Sequence, residues 1–148
     1  IGGKIVKEKR IGIEIRILAN LICRCLNELG FNEEHNGLTG PQGLVLGYLY
    51  DHQDKDIFQK DIEATFNIRR STATGLLQCL EGNGFVKRVS VDYDARLKKI
   101  VLTTKAHEFK ELLESHIQKM EEILVKDLEP QEVDDLIRII GKIKKNLE

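Results

Sequence analysis

Between Arg69 and Glu81, apolar side chains recur at Ala73, Leu77 and Leu80. These three- and four-residue steps lay them along one face of a helix. The opposite face then carries Ser71, Thr74, Gly75 and Gln78, with Arg69, Arg70 and Thr72 beside them. Short hydroxyls, a carboxamide and guanidinium groups are the types that meet phosphate oxygens and base-pair edges. A Gln such as Gln78 can bond adenine at two atoms. No acid interrupts the face before Glu81, whereas a merely solvated helix face is usually rich in Glu and Lys. The chemistry on offer is hydrogen bonding and charge neutralisation.

A second set follows closely: Arg88, Asp94, Arg96, Lys98 and Lys99. The chain as a whole has a net charge of −1 over 148 residues, but that balance is uneven. Residues 69–105 carry a net +5, flanked by −5 over 30–68 and −4 over 106–148, while residues 1–29 carry +3. A basic island in a nearly neutral chain is where a phosphate backbone binds.

Catalytic signatures are missing from the sequence: no phosphate-cradling Gly loop, Gly-x-Ser-x-Gly elbow or His-Glu-x-x-His. An enzyme is not expected, nor is a cofactor. The histidines His35, His52, His107 and His116 are scattered, with Glu33-Glu34-His35 and the His107/Glu111 pair as the nearest approach to a ligand cluster. Zinc needs three or four converging ligands, so surface histidines are the plainer reading and no metal is expected. Cys23 and Cys25 stand about 200° apart on a helix and cannot easily bridge. Burial as small hydrophobes is the plainer fate for these and for Cys79, against oxidant sensing by a thiolate beside Arg24.

The elements that position these groups read off the periodicity. Apolar residues at helical spacing cover 8–29, with Gly30 as a stop and a polar loop from Asn32 to Gly37. Thr39 is placed to cap a helix with Pro41 in its first turn, running to Tyr50 and ending in the polar run Asp51–Asp56. Ile57, Phe58, Ile62 and Phe66 make a short amphipathic piece broken at Asn67, and Ser71 or a neighbour caps the next helix, which Gly82-Asn83-Gly84 ends. The period then drops to two: one strand over Phe85–Val91, another over Lys99–Leu102, joined by a polar connector Asp92–Leu97. A long helix over 104–128 and another from Pro130 complete an α-α-α-α-β-β-α-α order. The fold expected is mainly α with a small β-hairpin. Three short helices followed by a hairpin is the layout of a winged helix-turn-helix, whose third helix enters the DNA major groove. The chain has enough residues for one domain with a real core. No apolar run approaches a membrane span and no leader pattern is read, so a soluble, cytoplasmic protein is expected.

Residues 38–106 resemble the MarR (multiple-antibiotic-resistance regulator) family of transcription factors. The likeness rests on Phe66-Asn67-Ile68-Arg69-Arg70-Ser71-Thr72-Ala73-Thr74, Leu77, Leu80, Gly84-Phe85-Val86, Arg88, the wing-tip Asp94-Ala95-Arg96, and Ile100-Val101-Leu102-Thr103. Three positions depart from the pattern: Gly75 where a basic residue is frequent, Ala106 where Gly is common, and Lys98-Lys99 where a second Arg often follows. The resemblance implies a homodimer on a pseudo-palindromic double-stranded operator. Residues 1–37 and 105–148 would be dimerisation segments around a DNA-binding lobe over 38–104. It implies that Arg96 enters the minor groove, that Asp94 orients an arginine, and that Arg88, Lys98 and Lys99 neutralise phosphates. It further implies repression, released by a small anionic aromatic ligand, with Arg16, Tyr48 and Tyr50 as polar lining. The alternative is a helical protein-interaction module whose winged fold no longer binds DNA; the +5 block argues against it.

Overall fold

The computed structural model of the chain describes residues 10–29 and 37–148. The expected loop over 32–36 and the Glu33-Glu34-His35 cluster lie outside the described residues. The elements are α1 (Ile11–Glu28), α2 (Gly40–Asp51), α3 (Gln59–Phe66), α4 (Arg70–Gly82), β1 (Val86–Val91), β2 (Asp94–Leu102), α5 (Thr104–Val125) and α6 (Pro130–Leu147). Among the described residues, these are the expected types in the expected order. The chain divides into two compact units, one ending at His116 and the other Ile117–Glu148.

In the first unit the helix boundaries follow from local chemistry. Thr39 is the N-cap of α2, its N–H bonded 3.2 Å from the Gln42 carboxamide, with Pro41 in the first turn. Asp61 accepts the Phe58 N–H at 2.8 Å to open α3. That helix ends on Asn67, whose φ of 48° is left-handed; asparagine is among the few non-glycine residues that tolerate this conformation. Gly84 (φ +78°) follows the end of α4, where Phe85 N–H reaches back to the Leu80 carbonyl at 2.9 Å. Only a residue without Cβ takes that turn cheaply.

The core of this unit is built from Leu38, Val45, Leu46, Ile62, Ala73, Leu77, Leu80 and Phe85, all essentially inaccessible. α4 packs on α2, α3 and β1. Phe85 meets Phe109 edge to face at 5.2 Å, closing the start of α5 over the base of the hairpin. Leu26 of α1 approaches within 3.3 Å of where a side chain on Gly40 would begin, so the entry to α2 is built for a close helix contact. Yet α1 has no buried residue: Ile11, Ile13, Ile15, Ile17, Leu18 and Leu21 all stay exposed.

The hairpin departs from expectation. The connector is two residues, Asp92-Tyr93, rather than six, and β2 already begins at Asp94. The strands pair antiparallel from Val86↔Leu102 to Ser90↔Lys98, then jump to Val91↔Asp94. Ala95, Arg96 and Leu97 are therefore extra residues on β2, a bulge that turns side chains outward. Polarity alone made these residues look like loop; the ladder absorbs them as an irregular strand.

In the second unit, α6 opens at Glu129, whose N–H bonds the Glu132 carboxylate at 2.8 Å, with Pro130 in the first turn. It too has no buried residue, and Leu136, Ile137, Ile139, Ile140 and Leu147 are exposed.

Candidate nucleic-acid interface

The recognition-helix face is the one the periodicity predicts. Ala73, Leu77 and Leu80 of α4 point into the core, while Arg69, Arg70, Ser71, Thr72, Gly75 and Gln78 are exposed. The cap falls on Arg69, in extended conformation and with no side-chain bond to the helix; Ser71 lies inside the first turn. Thr74 is half-buried and differs from its neighbours: its hydroxyl donates to the Arg70 carbonyl at 2.8 Å and accepts from Gln59 Nε2 at 2.9 Å. Gln59 also bonds the Arg70 carbonyl, at 3.3 Å. The first residue of α3 thus holds the first turn of α4, which fixes the angle at which the outward face is presented. Spacing alone did not single out Gln59, because nothing local distinguishes it from a solvated residue. A Cβ added to Gly75 would meet nothing within 4 Å, so packing does not demand glycine there.

Of the charged residues of the wing, Arg88 and Lys99, expected to neutralise phosphates, have acidic partners within the chain, and Asp94 is paired with Arg96. Arg88 Nε donates to Glu81 at 2.6 Å, tying β1 to the end of α4 and committing one of its donors inside the chain. Lys99 Nζ lies 3.3 Å from the Asp56 carboxylate. Asp94 accepts the backbone N–H of Arg96 at 2.9 Å and its guanidinium at 3.3 Å. Lys98 is exposed. The Arg96 side chain is 91% exposed and that of Asp94 only 28%, so the carboxylate sits behind and the guanidinium projects.

The Arg96 side chain, and then its backbone N–H, hold the Asp94 carboxyl below its usual range. A depressed carboxylate stabilises the bonded form above the ordinary pKa and loses that effect as pH falls through the depressed value. The Arg96 amide proton and guanidinium resonances are therefore expected to stay constant from neutral pH down through the ordinary carboxylate range and to shift only below it. An Arg96 amide that moves in the neutral range argues against the bond.

The polar residues expected to line a ligand pocket are placed differently. Tyr50 is buried and its hydroxyl donates to the Ala106 carbonyl; burial, then the Glu114 charge, push its pKa up to about 12. It serves the packing. Tyr48 stacks on His52 at 4.1 Å and Arg16 is exposed on α1. A cleft of about 180 Å³ is lined instead by Leu49, His52, Asp56, Lys99, Leu102 and His107, among others. Among the described residues no three metal-binding side chains converge. Contrary to the expected burial, Cys23 and Cys79 are exposed, Cys25 is half-buried, and all three are free.

A helix-turn-helix with an acid-free exposed face, followed by a bulged wing that projects one arginine, is a DNA-reading arrangement. The MarR family model matches residues 36–97. The Staphylococcus aureus MepR–DNA complex superposes with a TM-score of 0.85 at 28% identity, covering 95% of this chain and 100% of that one. Over residues 36–97 in sequence, and over nearly the whole chain in fold, the protein is similar to MarR-family regulators. The transcription regulator MarR from Oenococcus oeni superposes at a TM-score of 0.78 with 28% identity, over 92% and 99% of the two chains. The HTH-type transcriptional repressor YetL of Bacillus subtilis is 27% identical over 112 residues, 75% of this chain and 66% of that one. By this likeness the chain is a DNA-binding transcriptional regulator of winged helix-turn-helix fold, not an enzyme. Among the described residues no helix is long and apolar enough to cross a membrane.

Proposed function

We propose that the chain is a homodimeric, cytoplasmic repressor that reads a pseudo-palindromic operator. In this reading the segments 1–37 and 105–148 dimerise around the DNA-binding lobe of residues 38–104. Arg69, Arg70, Ser71, Thr72 and Gln78 meet bases and phosphates in the major groove, while Thr74 orients the first turn of α4. Arg96 enters the minor groove, held by Asp94. Lys98 neutralises a phosphate. Arg88 and Lys99 add charge there through the donors their ion pairs leave free. The observation that carries the reading is the exposed Arg96 projecting from a carboxylate that fixes it, on the wing that follows an outward polar face of α4. Similarity to the repressor YetL supports the sign of regulation. Selecting from random duplexes and sequencing what the protein retains tests the operator. An inverted repeat with half-sites about one helical turn apart is expected; retention of unrelated sequences rejects specific readout.

Dimerisation is supported by the apolar residues left exposed on α1 and on α6. Exposed apolar surface on this scale is a liability unless another chain covers it. Sedimentation at micromolar concentration is expected to give about twice the chain mass, and replacing Ile13 and Ile17 with Glu to shift it to one. A monomeric wild-type protein rejects the dimer. Release by a small aromatic anion completes the proposal.

A further inference from the structure

The outer part of the wing is bonded to a short segment outside the DNA-reading face. Asp56, exposed in the connection between α2 and α3, offers both carboxylate oxygens to the wing. Oδ2 accepts from the Tyr93 hydroxyl at 3.1 Å, in the two-residue turn, and Oδ1 from Lys99 Nζ at 3.3 Å, on β2. The adjacent Ile57 carbonyl accepts the Ile100 N–H at 2.7 Å. Ile57 and Ile100 are both buried beneath these bonds. One carboxylate therefore spans the tip and the shaft of the hairpin, and the next peptide group anchors its base. A two-stranded hairpin is marginal by itself, so the direction in which it points depends on such ties.

From this arrangement we infer that Asp56 is a positioning residue for DNA binding: it holds the wing so that Arg96 meets the groove with its approach already set. The inference rests on Arg96 being a groove contact. Ordering the wing before association removes an entropic cost that DNA binding otherwise carries. Charge alone makes the opposite prediction. An acid beside a surface that faces phosphates opposes binding, and deleting it tightens the complex.

The two views separate in an operator titration. Two exposed hydrogen bonds of modest strength are lost with the carboxylate, so Asp56→Ala is expected to weaken operator binding about five-fold. Asp56→Asn keeps an acceptor for Tyr93 but not the ion pair, and is expected between Ala and wild type. Equal or tighter binding by Asp56→Ala overturns the proposal. Tyr93→Phe provides a variant with no loss of charge and no buried change. Alone it weakens binding; in the Asp56→Ala background it adds nothing. Additive losses overturn the clamp.

A readout without DNA keeps the clamp apart from the DNA-binding assignment. Partial desolvation, and then the Asp56 hydrogen bond and charge, hold the Tyr93 hydroxyl above its ordinary range. The tyrosinate absorbance of wild type minus that of Tyr93→Phe isolates this group. Its titration is expected to move to lower pH in Asp56→Ala, with the thermal midpoint little changed. An unmoved titration shows that the carboxylate does not engage Tyr93. A moved titration with unaltered DNA affinity rejects the positioning role while leaving the contacts of α4 intact.

Discussion

Gln78→Ala is expected to cost about 1–3 kcal/mol of binding free energy at each half-site and to relax preference at one base pair there. Gln78 is exposed on α4, opposite the buried Ala73, Leu77 and Leu80, so removing its carboxamide leaves the core untouched. A carboxamide can donate to one atom and accept from another on a single base edge, which is how it distinguishes adenine. The alanine variant should therefore lose affinity for the selected operator while its affinity for random duplex stays nearly constant. Measuring both affinities at one salt concentration checks this. Equal weakening on both duplexes places Gln78 on the sugar–phosphate backbone and removes it from sequence readout.

Arg96→Ala is expected to behave the other way, weakening specific and random DNA together, because the minor groove offers a degenerate code. Each neutralised phosphate steepens the log–log salt dependence by about 0.9. A dimer that loses two such contacts then binds about 60-fold more weakly near 0.1 M salt, with a slope flatter by about 1.8. Asp94 supplies the sharper probe. Its carboxylate takes both the backbone N–H and the guanidinium of Arg96. Asp94→Ala makes the protein more positive yet is expected to loosen binding, since the guanidinium is no longer aimed. Titrating both variants against one operator at several salt concentrations decides between aim and charge. Tighter binding by the Asp94 variant would show that the carboxylate only repelled phosphate.

The helices were legible in the sequence because their signals are local. The steps from Ala73 to Leu77 to Leu80, the Thr39/Gln42 pair around Pro41, the break at Asn67 and the Gly84 turn each act within one or two turns of chain. A helix is made of bonds between near neighbours, so periodicity and end signals suffice to place it. The outward position of Arg69, Arg70, Ser71, Thr72 and Gln78 follows from the same arithmetic, as does the excess of apolar face on α1 and α6. What the polar residues of that surface bond to was decided only by tertiary structure. Glu81 meets Arg88 across a turn, Gln59 meets Thr74 from another helix, and Asp56 meets Tyr93 and Lys99 some 40 residues away. A carboxylate or carboxamide in a polar stretch reads the same whether it faces water or a distant partner, because its bonds are short-ranged in space and unrestricted in sequence. The bulge at Ala95–Leu97 was hidden for a related reason. Strand pairing is set by register against the opposite strand, and a run of polar residues carries no mark of how many of them the ladder will take up.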